Sequence, residues 1–159
     1  MDEDQQSCAS CGKPNATLAC KCRRVSYCDT FCQGSDWALH KVACTVHSSA
    51  ALEKLKAEGG SNDQIADATQ NLADLFAAQG RLGEAVRYCV ETVELRRRAA
   101  AAAVAGGAEG GAGEDAKVAA ALHKLGVMYE REGFFRDALE ALEESLVRPS
   151  PDNHPEPKT

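Results

Sequence analysis

The sequence contains few aromatic residues and no long apolar stretch, and both absences exclude classes of protein. Aromatic residues make up 5% of the 159 residues, and there is a single tryptophan. The apolar run around residues 99–105 is much shorter than the roughly 20 residues that span a bilayer. The start, MDEDQQS, is acidic and lacks the basic and then apolar pattern of a signal peptide. We therefore expect a soluble intracellular protein, either cytoplasmic or nuclear.

The chain also lacks an excess of positive charge. Its formal net charge is −6, and 26% of its residues are charged. A negative molecule of this kind is not attracted as a whole to nucleic acid or to an anionic membrane surface. We expect protein partners and no membrane, and nucleic acid is a poor candidate.

Cysteine is scarce in most of the chain and concentrated in one short part. Seven of the eight cysteines lie between Cys8 and Cys44, and the eighth is Cys89. In an intracellular protein, clustered cysteines are more often metal ligands than disulfides. A disulfide scaffold is the alternative, and it would require a secreted chain. Cys89 lies on the apolar face of a predicted helix, so we expect it in a core.

Zinc is the metal that this cluster predicts. The candidate ligands are Cys8, Cys11, Cys20, Cys22, Cys28, Cys32, His40 and Cys44. Structural zinc takes four ligands in a tetrahedron, so eight ligands predict two closed sites. The last four of these residues form two pairs with i, i+4 spacing, which places each pair on one face of a helical turn. Closed sites leave no position for water, so we do not expect metal-assisted hydrolysis.

The second half of the cluster carries a specific motif. Residues 27–44 read YCDTFCQGSDWALHKVAC. This pattern of Tyr-Cys, Cys-Gln, Trp, His-Lys and a final Cys resembles a MYND-type zinc finger, with the match covering 8–44. The resemblance implies interleaved sites, with Cys8, Cys11, Cys28 and Cys32 on the first zinc and Cys20, Cys22, His40 and Cys44 on the second. It also implies that Gln33 and Trp37 bind a short proline-containing peptide, whereas the alternative for Trp37 is that it only covers the zinc core.

One spacing departs from the MYND pattern. A single residue, Lys21, separates Cys20 from Cys22, where the family normally has two residues. The chain can still fold both sulfurs to one side, but we expect it to lose the tight knuckle whose N–H groups stabilise the thiolates. We predict a retained site because the other ligands and Trp37 are present. The alternative is a weakened or empty second site.

The rest of the chain is predicted to be helical. We expect a zinc finger over 8–47, a connecting helix over 48–60, and helical pairs over 61–98 and 117–148. The stretches NLADLFAAQGRLGEAVRYCVETV and KLGVMYEREGFFRDALEALEESL correspond at an offset of 53 residues. Their small and aromatic positions resemble the tetratricopeptide repeat. The alternative is two unrelated amphipathic hairpins.

The repeat prediction has consequences for stability and for the connecting segments. About three repeats are normally needed for a stable stack, so two imply a capping helix, a partner chain or a self-associating dimer. The alanine- and glycine-rich residues 99–116 predict a flexible linker, although the alanines can prolong the preceding helix for a turn or two. Residues 1–7 and 149–159 predict disordered ends. Arg96 to Arg98 are expected near a helix C-terminus, where cations oppose the macrodipole. A nuclear signal is the alternative for these arginines.

The predicted fold class is a small zinc-stabilised module, with two interleaved zinc sites and short helices, followed by all-α helical-hairpin repeats. No nucleophile–base pair, phosphate loop or open metal site stands out in the sequence, so we do not expect an enzyme. We expect an adaptor whose finger binds a peptide and whose repeats bind a second partner. The alternatives are a non-catalytic relative or fragment of a MYND-containing SET-type lysine methyltransferase, or a nucleic-acid-binding regulator.

Overall fold

The structure, a computed structural model, describes residues 7–106 and 111–147. The chain divides into two compact units, and the boundary lies between Ala51 and Leu52. The predicted disordered N-terminus lies outside the described residues apart from Ser7, and so does the predicted tail from 149 onward. Within the described ranges, no helix is both long enough and apolar enough to cross a membrane.

The first unit combines a short β-hairpin with a helix. Strands β1 (Leu18–Ala19) and β2 (Ser26–Tyr27) pair in antiparallel register, with Leu18 opposite Tyr27. Helix α1 (Thr30–His40) follows, and a 3-10 turn (Lys41–Ala43) leads into α2 (Thr45–Ala57). The Asp29 carboxylate accepts the Cys32 N–H at 2.9 Å and caps α1. Aspartate is a preferred N-cap residue, so this contact sets where the helix begins.

The core of the first unit consists mainly of cysteine side chains. Its buried residues are Cys8, Cys20, Cys22, Tyr27 and Cys44. Tyr27 is fully buried, and its hydroxyl donates to Asp36 Oδ2 at 2.8 Å. Phe31, Leu39 and Val42 are 80%, 76% and 71% exposed. The apolar core of this unit is therefore very small.

The second unit is built from antiparallel helices. After the end of α2 come α3 (Asn62–Ala78), α4 (Leu82–Ala105), α5 (Gly111–Glu132) and α6 (Phe135–Val147). Each of these helices packs on the next one in the chain. Ser61 and Gln64 form a capping box at the start of α3. Gly80 and Gly133, with φ of 72° and 88°, turn the chain between the helices of each pair. The predicted helical hairpins are confirmed.

Apolar side chains fill the interior of the second unit. Leu52, near the end of α2, is buried with Leu72 and Phe76 of α3. Val118 and its neighbours on α5 pack with Cys89 of α4. Cys89 is 1% exposed, as predicted for a core residue, and burial raises the pKa of its thiol to about 11.

The alanine- and glycine-rich segment differs from the predicted linker over 99–116. Helix α4 continues to Ala105 and α5 begins at Gly111, so most of this segment is helical. Alanine has the highest helix propensity, and Ala100 packs against the core of the second unit. The helix therefore continues through the alanines as expected, whereas α5 already begins at Gly111, where composition predicted flexibility.

The arginines at 96–98 do not end a helix, because α4 continues past them to Ala105. Arg96 pairs with Asp63 of α3, and Arg97 Nη2 lies 2.7 Å from a carboxylate oxygen of Glu144 on α6. These contacts tie α4 to α3 of its own hairpin and to α6 of the other hairpin. The expected interaction with a helix C-terminus is therefore replaced by ion pairs between helices.

Candidate metal centre

The predicted ligands form two separate clusters in the first unit. The first contains Cys8, Cys11, Cys28 and Cys32, and the second contains Cys20, Cys22, His40 and Cys44. Within each cluster the sulfur and nitrogen atoms all lie within 4.8 Å of one another. All eight cysteines of the chain are free. The two groups alternate along the sequence, as the interleaved arrangement predicts.

The distances within the clusters fit tetrahedral zinc. With Zn–S of about 2.3 Å and Zn–N of about 2.0 Å, neighbouring donors lie about 3.8 Å apart for two sulfurs and about 3.5 Å for sulfur and nitrogen. The sulfurs of Cys11 and Cys28 are 3.5 Å apart, and those of Cys20 and Cys44 are 3.9 Å apart. His40 Nε2 lies 3.3 Å from the Cys20 sulfur and 3.3 Å from that of Cys22. The donor sets therefore fit two structural zinc ions.

A regular knuckle forms the start of the first cluster. The Gly12 N–H donates to the Cys8 carbonyl at 2.8 Å, and Gly12 has a φ of 74°. Burial raises the pKa of the Cys8 thiol, but N–H groups of Cys11, Cys28 and Ser10 outweigh it and lower the pKa to about 6. The backbone thus favours the thiolate, which is the form that binds a metal.

The short Cys20–Cys22 pair closes its loop one residue earlier. The Arg23 N–H donates to the Cys20 carbonyl at 2.8 Å, and Arg23 adopts a left-handed φ of 59°. Arg23 therefore occupies the position after the second cysteine that Gly12 occupies in the first knuckle. The Cys20 N–H donates to the Val25 carbonyl at 3.0 Å, which joins this loop to the hairpin.

Backbone N–H groups still act on one of the two sulfurs of the short pair. Burial raises the pKa of the Cys20 thiol, but the N–H groups of Cys22 and Lys21 contribute to lowering the pKa below its ordinary value. The tighter turn still directs amides toward a sulfur. The short loop thus keeps N–H groups at Cys20, whereas burial raises the pKa of the Cys22 thiol to about 11.

The two clusters differ in exposure. Every ligand of the second cluster is buried, with exposures from 1% at Cys44 to 8% at Cys22. In the first cluster Cys8 is buried, Cys11 is exposed, and the remaining two cysteines are intermediate. The shorter loop therefore belongs to the better shielded site.

The spacing had suggested that each i, i+4 ligand pair lies on one helical turn. Neither pair lies entirely within α1. Cys28 precedes the N-cap of α1, whereas Cys32 lies in its first turn. His40 is the last residue of α1, and Cys44 follows the 3-10 turn. The ligands meet because the chain bends at both ends of α1.

The two residues suggested for peptide binding lie one turn apart on α1. Trp37 is 37% exposed, and its ring makes edge contacts with His40 and His47, at centroid distances of 6.1 Å and 5.3 Å. Gln33 is half-buried. Trp37 thus shields a ligand of the second cluster and still presents part of its ring to solvent.

Sequence reasoning missed three residues that shape this unit. Asp29 caps α1, Asp36 accepts the hydroxyl of buried Tyr27, and Arg23 closes the short loop. The preference of aspartate for N-caps was a usable signal for the first. Nothing local in the sequence identifies the other two, because both depend on the folded hairpin.

Comparisons with known proteins agree with this geometry. The MYND finger family matches residues 8–44, and the tetratricopeptide repeat family matches 65–100 and 118–148. The chain therefore carries a MYND-type zinc finger followed by tetratricopeptide repeats. Modules of both kinds typically serve protein interaction and are not catalytic.

A curated relative shares part of the chain. Deformed epidermal autoregulatory factor 1 of Drosophila melanogaster is 40% identical over 50 residues, which is 31% of this chain. The chain spans only 9% of the length of that relative.

Proposed function

We propose that this protein is a zinc-dependent adaptor in which the finger binds a short proline-containing peptide and the repeats bind a second protein. In this proposal the eight clustered residues are the ligands of two structural zinc ions. The observation that carries the proposal is that each cluster has four protein donors. A closed tetrahedron has no position for water or substrate, so the metal holds the fold and performs no chemistry.

The peptide site is proposed at Gln33 and Trp37. Their i, i+4 spacing places both side chains on one face of α1. Aromatic rings bind proline-rich segments in several recognition modules, because such segments are already extended and lose little entropy on binding. The exposed part of the Trp37 ring can contact a proline, and the Gln33 amide can both donate to and accept from an extended peptide backbone. Its contacts with His40 and His47 hold the Trp37 ring in place.

Calorimetric titration with a proline-containing peptide of the PxLxP kind tests this site. We expect Trp37→Ala to weaken binding by about 30-fold or more, as for interface residues that act as hot spots. Gln33→Ala should have a smaller effect in the same direction. Leu39→Ala is the matched control, because Leu39 is on the same helix and is 76% exposed.

Zinc content distinguishes a variant that has lost peptide binding from one whose finger no longer folds. Each variant is accepted only with two zinc ions per chain by native mass spectrometry, and Trp37→Phe replaces Trp37→Ala if the alanine variant loses metal. Unchanged peptide affinity in a zinc-loaded Trp37 variant would show that this ring only covers the metal core.

The proposal also distinguishes the adaptor from the other candidates. As a non-enzyme, the protein should not bind S-adenosylmethionine, whereas an active lysine methyltransferase would. Five basic residues of the finger, two acidic residues, seven thiolates and two zinc ions leave residues 8–44 near neutral. A finger that binds nucleic acid should present a basic face, so we expect no salt-dependent binding to DNA or RNA. The free cysteines suit the proposed intracellular location.

A further inference from the structure

The last helix of the repeat unit has an uncovered apolar face. At the offset of 53 residues, Val86, Cys89 and Val93 of α4 correspond to Leu139, Leu142 and Leu146 of α6. The α4 residues pack in one cluster with side chains of α5. The equivalent α6 residues, together with Phe135, form what we call the α6 stripe: Phe135, Leu139, Leu142 and Leu146.

The α6 stripe is exposed where its α4 counterpart is covered. Phe135 is 70% exposed, Leu139 57% and Leu146 74%, while Leu142 is half-buried over Gly126. The residues that α6 buries are small: Ala138, Ala141 and Ser145. The large side chains of this helix therefore lie mostly outside the core. Among residues 7–106 and 111–147, no helix covers α6 as α5 covers α4.

The spacing within the stripe is that of a helix pair. Successive members are separated by four, three and four residues, which is the a/d spacing of a coiled-coil seam. A seam of this width fits one further helix. Exposed apolar stripes on a helix are commonly interaction surfaces.

The charges beside the stripe indicate which helix fits. Arg136 and Glu143 are seven residues apart, which places both on the same flank of the stripe. Both side chains are exposed, and neither has an ion-pair partner in the described part of the chain. A partner helix that runs antiparallel and carries the same sequence would place its Glu143 beside Arg136 and its Arg136 beside Glu143. A parallel copy would place neither charge beside its opposite.

We propose that the α6 stripe pairs with the α6 stripe of a second copy of this chain, antiparallel and about a two-fold axis. Phe135 then meets Leu146, Leu139 meets Leu142, and the two Arg136–Glu143 pairs flank the contact. This inference deepens the proposed binding role of the repeats and does not depend on peptide binding at the finger. The stripe contributes four side chains from each copy, far fewer than the roughly 20–30 residues per side of a standard interface, so we expect a dissociation constant on the order of 10 µM.

Sedimentation velocity of the zinc-loaded full chain over about 1–200 µM, a range that brackets this constant, tests the contact. We expect a concentration-dependent dimer, and Leu139→Glu should remain monomeric throughout because it places a carboxylate in the seam. Leu139 lies outside the core, so circular dichroism and zinc content should be unchanged. The matched control is Leu39→Glu, an exposed leucine on α1, which should dimerise like the unmodified chain.

Charge exchange tests the orientation. Arg136→Glu and Glu143→Arg should each weaken the dimer by about tenfold, because each places like charges together twice. The double variant should recover the original affinity. An equimolar mixture of the two single variants should form a heterodimer, since every facing pair is then of opposite charge.

The results that overturn the proposal are distinct from each other and from failure of the adaptor function. A chain that stays monomeric at every concentration, or a dimer insensitive to Leu139→Glu, removes the α6 contact. Loss of the dimer in Leu39→Glu alone places the contact on the finger instead. A dimer without recovery in the double variant rejects the antiparallel arrangement. Peptide titration of Leu139→Glu is the separate readout of the finger, and we expect its peptide affinity to be unchanged.

Discussion

The two units of this protein are stabilised by different chemistry. In the finger, the buried side chains are mostly cysteines around one tyrosine, and several of its apolar residues are exposed. In the helical unit, Leu72, Phe76 and Val118 lie in ordinary apolar clusters. A short segment with so little apolar burial cannot offset its chain entropy without help. Metal supplies that help in one unit, and hydrophobic packing does so in the other.

The two metal clusters repeat this contrast on a smaller scale. The first has a regular two-residue loop with a glycine after it, and it is partly open to solvent at Cys11. The second has a one-residue loop closed by Arg23, and all of its ligands are buried. The shorter loop is therefore compatible with a fully buried set of ligands.

Removing the metal should have the largest effect and should separate the two units. We expect a strong chelator to unfold the finger, since structural zinc contributes on the order of 10 kcal/mol or more. The helical unit should keep its circular dichroism signal at 222 nm, while the emission of Trp37, the only tryptophan, should shift to the red. Unchanged Trp37 emission in metal-free protein would contradict the proposed dependence, and added zinc should reverse the shift.

Single ligand changes should distinguish the two clusters. In Cys11→Ser, water can reach the exposed position and complete the tetrahedron, so we expect two zinc ions with one held more weakly. In Cys22→Ser the site is buried, and we expect the second zinc to be lost. Its affinity should fall by more than the about 10- to 100-fold cost of removing an outer-shell partner. Native mass spectrometry measures both, and two firmly held zinc ions in Cys22→Ser would show that the short pair is not needed.

A glycine change should affect only the helical unit. A Cβ at position 126 would lie 2.6 Å from Leu142 Cγ, so α5 and α6 would have to separate. We expect Gly126→Ala to lower stability by about 1–2 kcal/mol, because overpacking outweighs the gain in helix propensity. Gly83→Ala is the matched control, since a Cβ there has nothing within 4 Å. In thermal unfolding, Gly126→Ala should lower the midpoint temperature and Gly83→Ala should raise it. Zinc content should be unchanged in both variants.

The residues that close the two cysteine loops should respond differently to exchange. Gly12→Ala places a side chain in the left-handed region and should weaken zinc retention by about 1 kcal/mol. Arg23→Gly relieves the same strain in the second loop and should be neutral or stabilising by up to about 1 kcal/mol. Competition with a zinc chelator measures both. An equal loss of zinc affinity in the two variants would mean that the Arg23 side chain, and not its backbone conformation, determines zinc retention at the second cluster.

The smallest expected effect concerns an ion pair in the helical unit. Burial raises the pKa of Asp63, but Lys117 and Arg96 outweigh it and hold the pKa below its ordinary value. The stabilisation is therefore present above the unfolded pKa of about 3.9 and is lost as the pH falls through the folded value. Asp63→Asn should cost at most about 1 kcal/mol at pH 7, since solvent screens this half-exposed pair. In denaturant titrations, the difference in the free energy of unfolding between Asp63→Asn and the unmodified chain should shrink at acidic pH. A difference that stays constant with pH would show that it does not come from the charge of Asp63.

Much of the finger could be predicted because ligand chemistry is local and discrete. Residue identity and count predicted eight ligands and two sites, and the resemblance to a MYND-type finger implied their division into the two clusters that the structure brings together. The helical hairpins could also be predicted, because their signals are local: apolar spacing, a capping box and a terminal glycine each depend on only a few neighbouring residues.

Other features depended on what covers each residue in the folded chain. The sequence by itself determined which residues cluster around metal and where the helix pairs begin and turn. Only the tertiary structure decided that Arg23 turns left-handed, that Leu39 faces solvent, that α5 begins at Gly111, and that Leu139 is uncovered while Val86 is packed. Backbone spacing acts over a few residues, whereas exposure is set by residues that are distant in sequence. For that reason the same apolar pattern is core in α4 and surface in α6.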